Sequence, residues 1–170
     1  MVWQKTVKAP VAGINSPINP SPQLQIPADW KTYTNTKYHY SFRYPKEYYI
    51  YQLSDDGASR QAINQDAGAV EISERKTKGA IFSVWDTNYK TLDPDRIKIQ
   101  FGATDLNNIR LTQIVIANQS AYSVESKENG KFVATGFHFV QNLSGQILQI
   151  ALDMNDLVVQ KIFSSLKFTK

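Results

Sequence analysis

The stretch WKTYTNTKYHYSFRYP, Trp30 to Pro45, decides how the rest of the chain is read. Its second half alternates. Tyr38, Tyr40, Phe42 and Tyr44 fall on one side of an extended strand and His39, Ser41 and Arg43 on the other, because successive strand side chains point to opposite faces. Pro45 has no N–H to give to a ladder and ends the run. An aromatic row of this kind can stack bases or sugars on an exposed sheet. It is also what the inner face of a half-buried antiparallel strand shows, since aromatics are favoured there. The polar residues already occupy the opposite face, so the aromatic side is assigned to the core.

Period two governs the chain beyond this stretch. Strands are expected at 48–53, 69–73, 80–85, 109–116, 120–126, 131–140 and 145–152. KENGK, residues 127–131, holds the Asn-Gly pair of a tight hairpin turn, whose two central residues need positive φ, and NLSG at 142–145 reads as a second turn. LDPDRIKIQF is ambiguous: Asp93-Pro94 can open a helix, but Ile97, Ile99 and Phe101 alternate, and 96–101 is read as strand. One helix is expected near the end, where Val159, Ile162, Phe163 and Leu166 recur at i, i+3, i+4 and i+7. Asp153 is read as its N-cap, Asp156 as an acid suited to the positive helix start, and residues 167–170 as a short final strand or tail.

A chain of 170 residues holds one domain with a proper core. The first 28 residues differ in kind from the remainder. They carry five of the seven prolines and no acid, and read as an extended, solvated linker; residues 29–170 read as a single domain. Trp3, Lys5 and Lys8 resemble what stands just outside a membrane helix, so the linker is expected to follow an anchor outside this chain. About 25 residues of such linker at ~3.1 Å each reach roughly 75 Å. Residues 1–50 hold six Lys/Arg against two acids, and the remaining 120 carry thirteen of each sign. The basic excess suits an anionic surface, but no cluster is dense enough for nucleic acid.

Cysteine is absent, which removes disulfides, thiolate metal sites and Cys nucleophiles. His39 and His138 are far apart in sequence, with no H-x-x-x-H or H-x-H spacing. His39 is expected to face solvent, and His138 to lie on the sheet face opposite Phe137 and Phe139. The carboxylate pairs Asp55/Asp56 and Asp93/Asp95 read as turn residues, and Asp153/Asp156 as helix capping. A calcium loop starting at Asp86 and Asn88 is broken by Lys90. There is no G-x-S-x-G, no S-x-x-K and no phosphate-cradling glycine loop, so the sequence supports neither an enzyme nor a cofactor.

ADWKTYTNTKYHYSFRYPKEY at 28–48 resembles the opening of bacterial envelope proteins of the PsbP-like family, where a W-x-x-Y-x-N-x-x-Y-x-[FY]-S-[FIV]-x-Y-P run forms the first hairpin. VVQKIFSSLKF at 158–168 resembles that family's closing helix and strand, and IVIANQSAYSVES its central strand-turn-strand. His39 departs from the family's commoner glycine and Tyr48 from its tryptophan. The resemblance implies an α+β fold: an antiparallel β-sheet with packed helices in an α/β sandwich, the C-terminal helix lying on the sheet. It implies a domain outside the cytoplasm of a bacterium, held by a membrane or lipid anchor. Relatives of one fold bind unrelated partners, so the fold itself names none. The expectation is a non-catalytic monomer binding an envelope protein. Its contact residues are expected on the polar strand face, His39, Ser41 and Arg43, and in the long polar loop 54–68, at Asp55, Asp56 and Arg60. The alternative is a ligand- or metal-binding module for calcium or zinc.

Overall fold

The computed structural model describes residues 24–53, 60–61, 68–73, 79–84, 91–100 and 106–169. The first hairpin pairs β1 (Lys31–Asn35) with β2 (Tyr40–Tyr44). Next come β3 (Tyr49–Leu53), a two-residue β4 (Arg60–Gln61) inside the stretch expected as a loop, β5 (Ala69–Ser73) and β6 (Ala80–Val84). Helix α1 (Pro94–Gln100) and a 3-10 turn (Leu106–Asn108) lead into the long strands β7 (Ile109–Ile116), β8 (Gln119–Glu128) and β9 (Lys131–Gln141). The chain closes with β10 (Ile147–Leu152), α2 (Leu157–Ser164) and β11 (Lys167–Phe168). All strand pairs are antiparallel and form two sheets, a small one ordered β1-β2-β11 and a large one ordered β4-β3-β5-β6-β10-β9-β8-β7. Among the described residues no helix is long and apolar enough to cross a membrane.

The aromatic row is core, as its alternation requires. Tyr33, Tyr40 and Phe42 of the small sheet turn inward onto Val70, Ile72 and Phe82 of the large one, and Val159 and Ile162 of α2 join the same cluster. Phe42 stacks on Phe82 with ring centroids 4.6 Å apart, and both are buried. Each such ring contributes ~2–3 kcal/mol by leaving water. The tyrosine hydroxyls would be costly there without partners. Fully buried Asn35 donates from Nδ2 to the Tyr33 and Tyr40 hydroxyls (3.2 and 3.5 Å) and accepts the Tyr38 N–H at Oδ1 (2.9 Å).

On β9 and β10 the neighbours of these core residues point the other way, and a second cluster covers the back of the large sheet. Ile97 of α1 sits there on Val124, Phe139 and Ile147. Residues 94–100 are therefore helix, not the strand that the Ile97-Ile99 alternation suggests. The start signal wins: the Asp93 side chain accepts the Asp95 N–H (3.0 Å), its carbonyl accepts the Ile97 N–H (3.1 Å), and Pro94 takes a position where no N–H is needed. Ile97 is buried while Ile99 is 65 % exposed, so the two do not share a face. The cap of α2 also differs from expectation. Asp156, not Asp153, is the N-cap, accepting the Val158 and Val159 N–H groups at 2.7 and 3.2 Å. Asp153 instead accepts the Asn155 N–H in a local turn.

Both expected turns form. Asn129 and Gly130 have φ of 49° and 79°, and Gly145 has φ of 82°. Asn142 accepts the N–H groups of Ser144 and Gln146, and donates to the Tyr38 carbonyl (2.9 Å), so that turn also ties the large sheet to the first hairpin.

Candidate functional site

A groove of about 500 Å³ opens on the back of the large sheet. Strand register builds it. Glu71 stands opposite Ile81, Ile81 opposite Ala151, and Ala151 opposite Phe137, so four strands lay one row of side chains across the sheet. Ala151 gives the row a low point between Ile81 and Phe137, with Glu71 at the far end, and Gly79 and Leu152 also line the groove. Thr135 and Asp153 form a polar rim.

Two close backbone approaches shape the groove's end. A Cβ on Gly79 would fall 1.6 Å from the Ile72 carbonyl oxygen, and one on Gly136 2.2 Å from that of Leu152. Gly136 also has φ of +77° and lies in a bulge. Between the pairs Ser123–His138 and Glu125–Ala134, β9 runs through residues 135–137 while β8 has only Val124. The Thr135 hydroxyl donates to the Val124 carbonyl (2.8 Å) and accepts the Phe137 N–H (3.3 Å), replacing ladder bonds that the bulge breaks. The bulge thereby sets the Phe137 ring on the groove wall.

The residues expected to contact a partner are placed differently. His39 sits in the β1–β2 turn with φ of 54°, half-buried, its carbonyl accepting the Thr169 N–H. Ser41 lies on the outer face of the small sheet, opposite Thr34 and Lys167. Arg43 acts as a stitch: Nη2 donates to the carbonyls of Pro27 and Ala28 (2.9 Å each) and of Trp30 (3.4 Å), and its N–H meets the Ser165 hydroxyl at 2.7 Å. Asp55 and Asp56 lie outside the described residues, as does most of their loop. Arg60 opens β4 opposite Leu53, in the large sheet rather than beside the other three. Glu71, Thr135 and Phe137 were not singled out in the sequence. Two signals pointed to them: one acid inside the apolar run AVEIS, and a glycine inside the strand KFVATGFHFV.

The titratable groups are dispersed. His138 lies on the covered face of β9, stacked 5.1 Å from the Phe163 ring, and among the described residues neither of its ring nitrogens has a hydrogen-bond partner. Burial lowers its pKa to about 4. Arg110 and Glu125 pair across β7 and β8 in a two-pronged contact of 2.6 and 2.7 Å, which holds the Glu125 carboxyl below its usual range. Among the described residues no three His, Cys, Asp or Glu side chains gather as a metal site would require, and Asp86 lies outside them.

No family model matches the chain, and no curated protein matches it. Among solved structures it is similar to the solution structure of cyanobacterial PsbP (CyanoP) from Synechocystis sp. PCC 6803. That similarity has a TM-score of 0.48 and 17 % identity, over 90 % of this chain and 99 % of that chain. No residue's role is carried over from it.

Proposed function

We propose that this chain is the extracytoplasmic domain of a membrane-anchored bacterial protein, acting by binding an envelope partner rather than by catalysis. The back-face groove carries the reading. It is a concave and largely apolar surface with a few polar groups at the rim, in the roughly 300–1,000 Å³ range of binding sites. Neither histidine is among the described residues lining it, and the Thr135 hydroxyl donates to the Val124 carbonyl. The anchored, outward placement draws on the proline-rich, acid-free N-terminal stretch and the aromatic-lysine run before it.

The test uses the full-length protein in its own cells, by membrane fractionation, protease shaving and crosslinking. Membrane retention, cleavage within residues 5–28 and a crosslinked envelope partner are expected. Ala151→Trp, which fills the groove floor, is expected to abolish the crosslink while melting stays within a few degrees of the parent. A protein that is soluble and protected from protease refutes the localisation, and a crosslink indifferent to Ala151→Trp refutes the groove. A second reading, a module for a small ligand, rests on the same volume. It predicts that a small ligand, or calcium or zinc, raises the melting temperature by mass action.

A further inference from the structure

The large sheet ends on β7, and among the described residues nothing pairs with that strand's outer edge. Natural sheets guard such edges with short strands, lysine, proline or bulges. Ile109–Ile116 has none of these: it is eight residues long, and its register with β8 runs unbroken from Ile109–Ser126 to Ile116–Gln119. Its one charge is turned back onto its own sheet. Arg110 is clamped by Glu125, with its guanidinium 4.6 Å from the Phe132 ring centroid. Val115, a β-branched residue suited to a strand neighbour, is 74 % exposed. In an antiparallel strand alternate residues aim their N–H and C=O to opposite sides, so about four residues of β7 present both groups outward.

A second observation gives the occupant's chemistry. A pocket of about 490 Å³ lies between α1 and the first half of β7, with Lys98, Arg110, Tyr122 and Phe132 in its walls. No carboxylate lines it among the described residues. Lys98 is half-buried in the last turn of α1 with no acidic partner among them. A cationic side chain in a pocket beside open main-chain donors and acceptors calls for an extended chain that brings an acid. A second copy of β7 brings Arg110 to the same edge instead.

We propose that β7 and this pocket form a docking site for an extended acidic segment of a partner protein, which adds to the large sheet as a further strand and sets a carboxylate against Lys98. This is main-chain recognition at a sheet edge, with one side-chain pocket supplying selectivity. The site is separate from the back-face groove and does not depend on it.

The probe is a fluorescent, N-acetylated nonapeptide of alternating valine and threonine with a central glutamate, compared with the same peptide carrying lysine at the centre. With the full chain, the glutamate peptide is expected to bind in the micromolar range and at least about fivefold more tightly than the lysine peptide. Lys98→Gln is expected to erase that preference and Lys98→Glu to invert it, with circular dichroism showing both variants folded. Amide exchange should slow at alternate residues of β7 when the glutamate peptide binds. Equal affinity for the two peptides overturns the proposal, as does protection that appears elsewhere than on β7. Protection of β7 that rises with protein concentration in the absence of peptide, together with a dimer in sedimentation, assigns the edge to a second copy and equally overturns it.

Discussion

Replacing His138 with phenylalanine is expected to stabilise this protein, and to do so more strongly in acid than at neutral pH. The imidazole is 6 % exposed, stands opposite Ser123 on β8 and Ile150 on β10, and stacks on Phe163 of α2 with 17° between the rings. Among the described residues neither ring nitrogen has a hydrogen-bond partner, and burial holds the pKa at about 4 against an ordinary 6.5. The unfolded chain titrates at the ordinary value. Between the two values it binds more protons than the folded protein does, so stability falls as pH drops through this window and levels off below about 4. A gap of about 2.5 units at ~1.4 kcal/mol each amounts to about 3–4 kcal/mol, a large share of the ~5–15 kcal/mol typical of a domain.

At neutral pH the ring costs something too, because an unpartnered buried polar group carries a penalty of ~1–3 kcal/mol. Phenylalanine removes that penalty and keeps the stack on Phe163. Its larger ring gives back ~1 kcal/mol through tighter packing. The variant is therefore expected to gain ~1 kcal/mol near pH 7.5 and ~4 kcal/mol near pH 4. Urea unfolding of both proteins in steps across that range measures the difference, in which Glu125 and the other acids cancel. A difference that does not change with pH, or a parent protein that is the more stable one near pH 4, refutes the reasoning.

Three further outcomes are expected. Asn35→Ala strands the Tyr38 N–H and removes a donor to two tyrosine hydroxyls in a fully buried site, and should cost ~2–3 kcal/mol in denaturant unfolding. Gly136→Ala should cost at least ~1 kcal/mol more than Gly130→Ala: both glycines have positive φ, but a Cβ at 130 meets nothing within 4 Å, whereas one at 136 strikes the Leu152 carbonyl. Equal costs would mean that the strands yield at the bulge. Arg110→Gln should raise the Glu125 titration midpoint toward the ordinary carboxylate range, read from its carboxyl carbon by NMR, because the Arg110 hydrogen bonds are the largest cause holding it down. A midpoint that stays put would trace the shift to another group.

Much of the fold was legible because strand alternation records burial directly. The tyrosine row, the Asn129-Gly130 turn and the closing helix each follow from residues that have few other uses. The α1 strand reading failed where two isoleucines alternated by accident and a local Asp-Pro start signal outweighed them. The Ala117-Asn118 turn joining β7 to β8 was legible through the family resemblance and not from its own residues. Both residues have positive φ, which alanine seldom adopts, so the paired long strands impose it rather than local preference. The candidate site was hidden for a similar reason. Glu71, Ile81, Ala151 and Phe137 become neighbours only through the register of four strands, whereas His39, Ser41 and Arg43 drew notice as near neighbours in sequence.

The arrangement of layers determines which faces of the described part of this domain are covered. One face of the large sheet is closed by α2 and the small sheet, whose aromatic residues fill the space between. On the small sheet's outer face, Arg43 is occupied in holding the carbonyls of residues 27, 28 and 30. The back of the large sheet and its β7 edge each carry an open recess. There α1 seats Ile97 on Val124, Phe139 and Ile147, that is, on β8, β9 and β10. The groove opens on the β5 side of that contact, with Gly79, Ile81 and Ala151 among its lining, and the cationic pocket opens on the β7 side. A seven-residue helix, held by one buried isoleucine and an Asp-Pro start, thus covers the middle of the back face and leaves a recess on either side. Between the two recesses α1 presents Ile99, 65 % exposed.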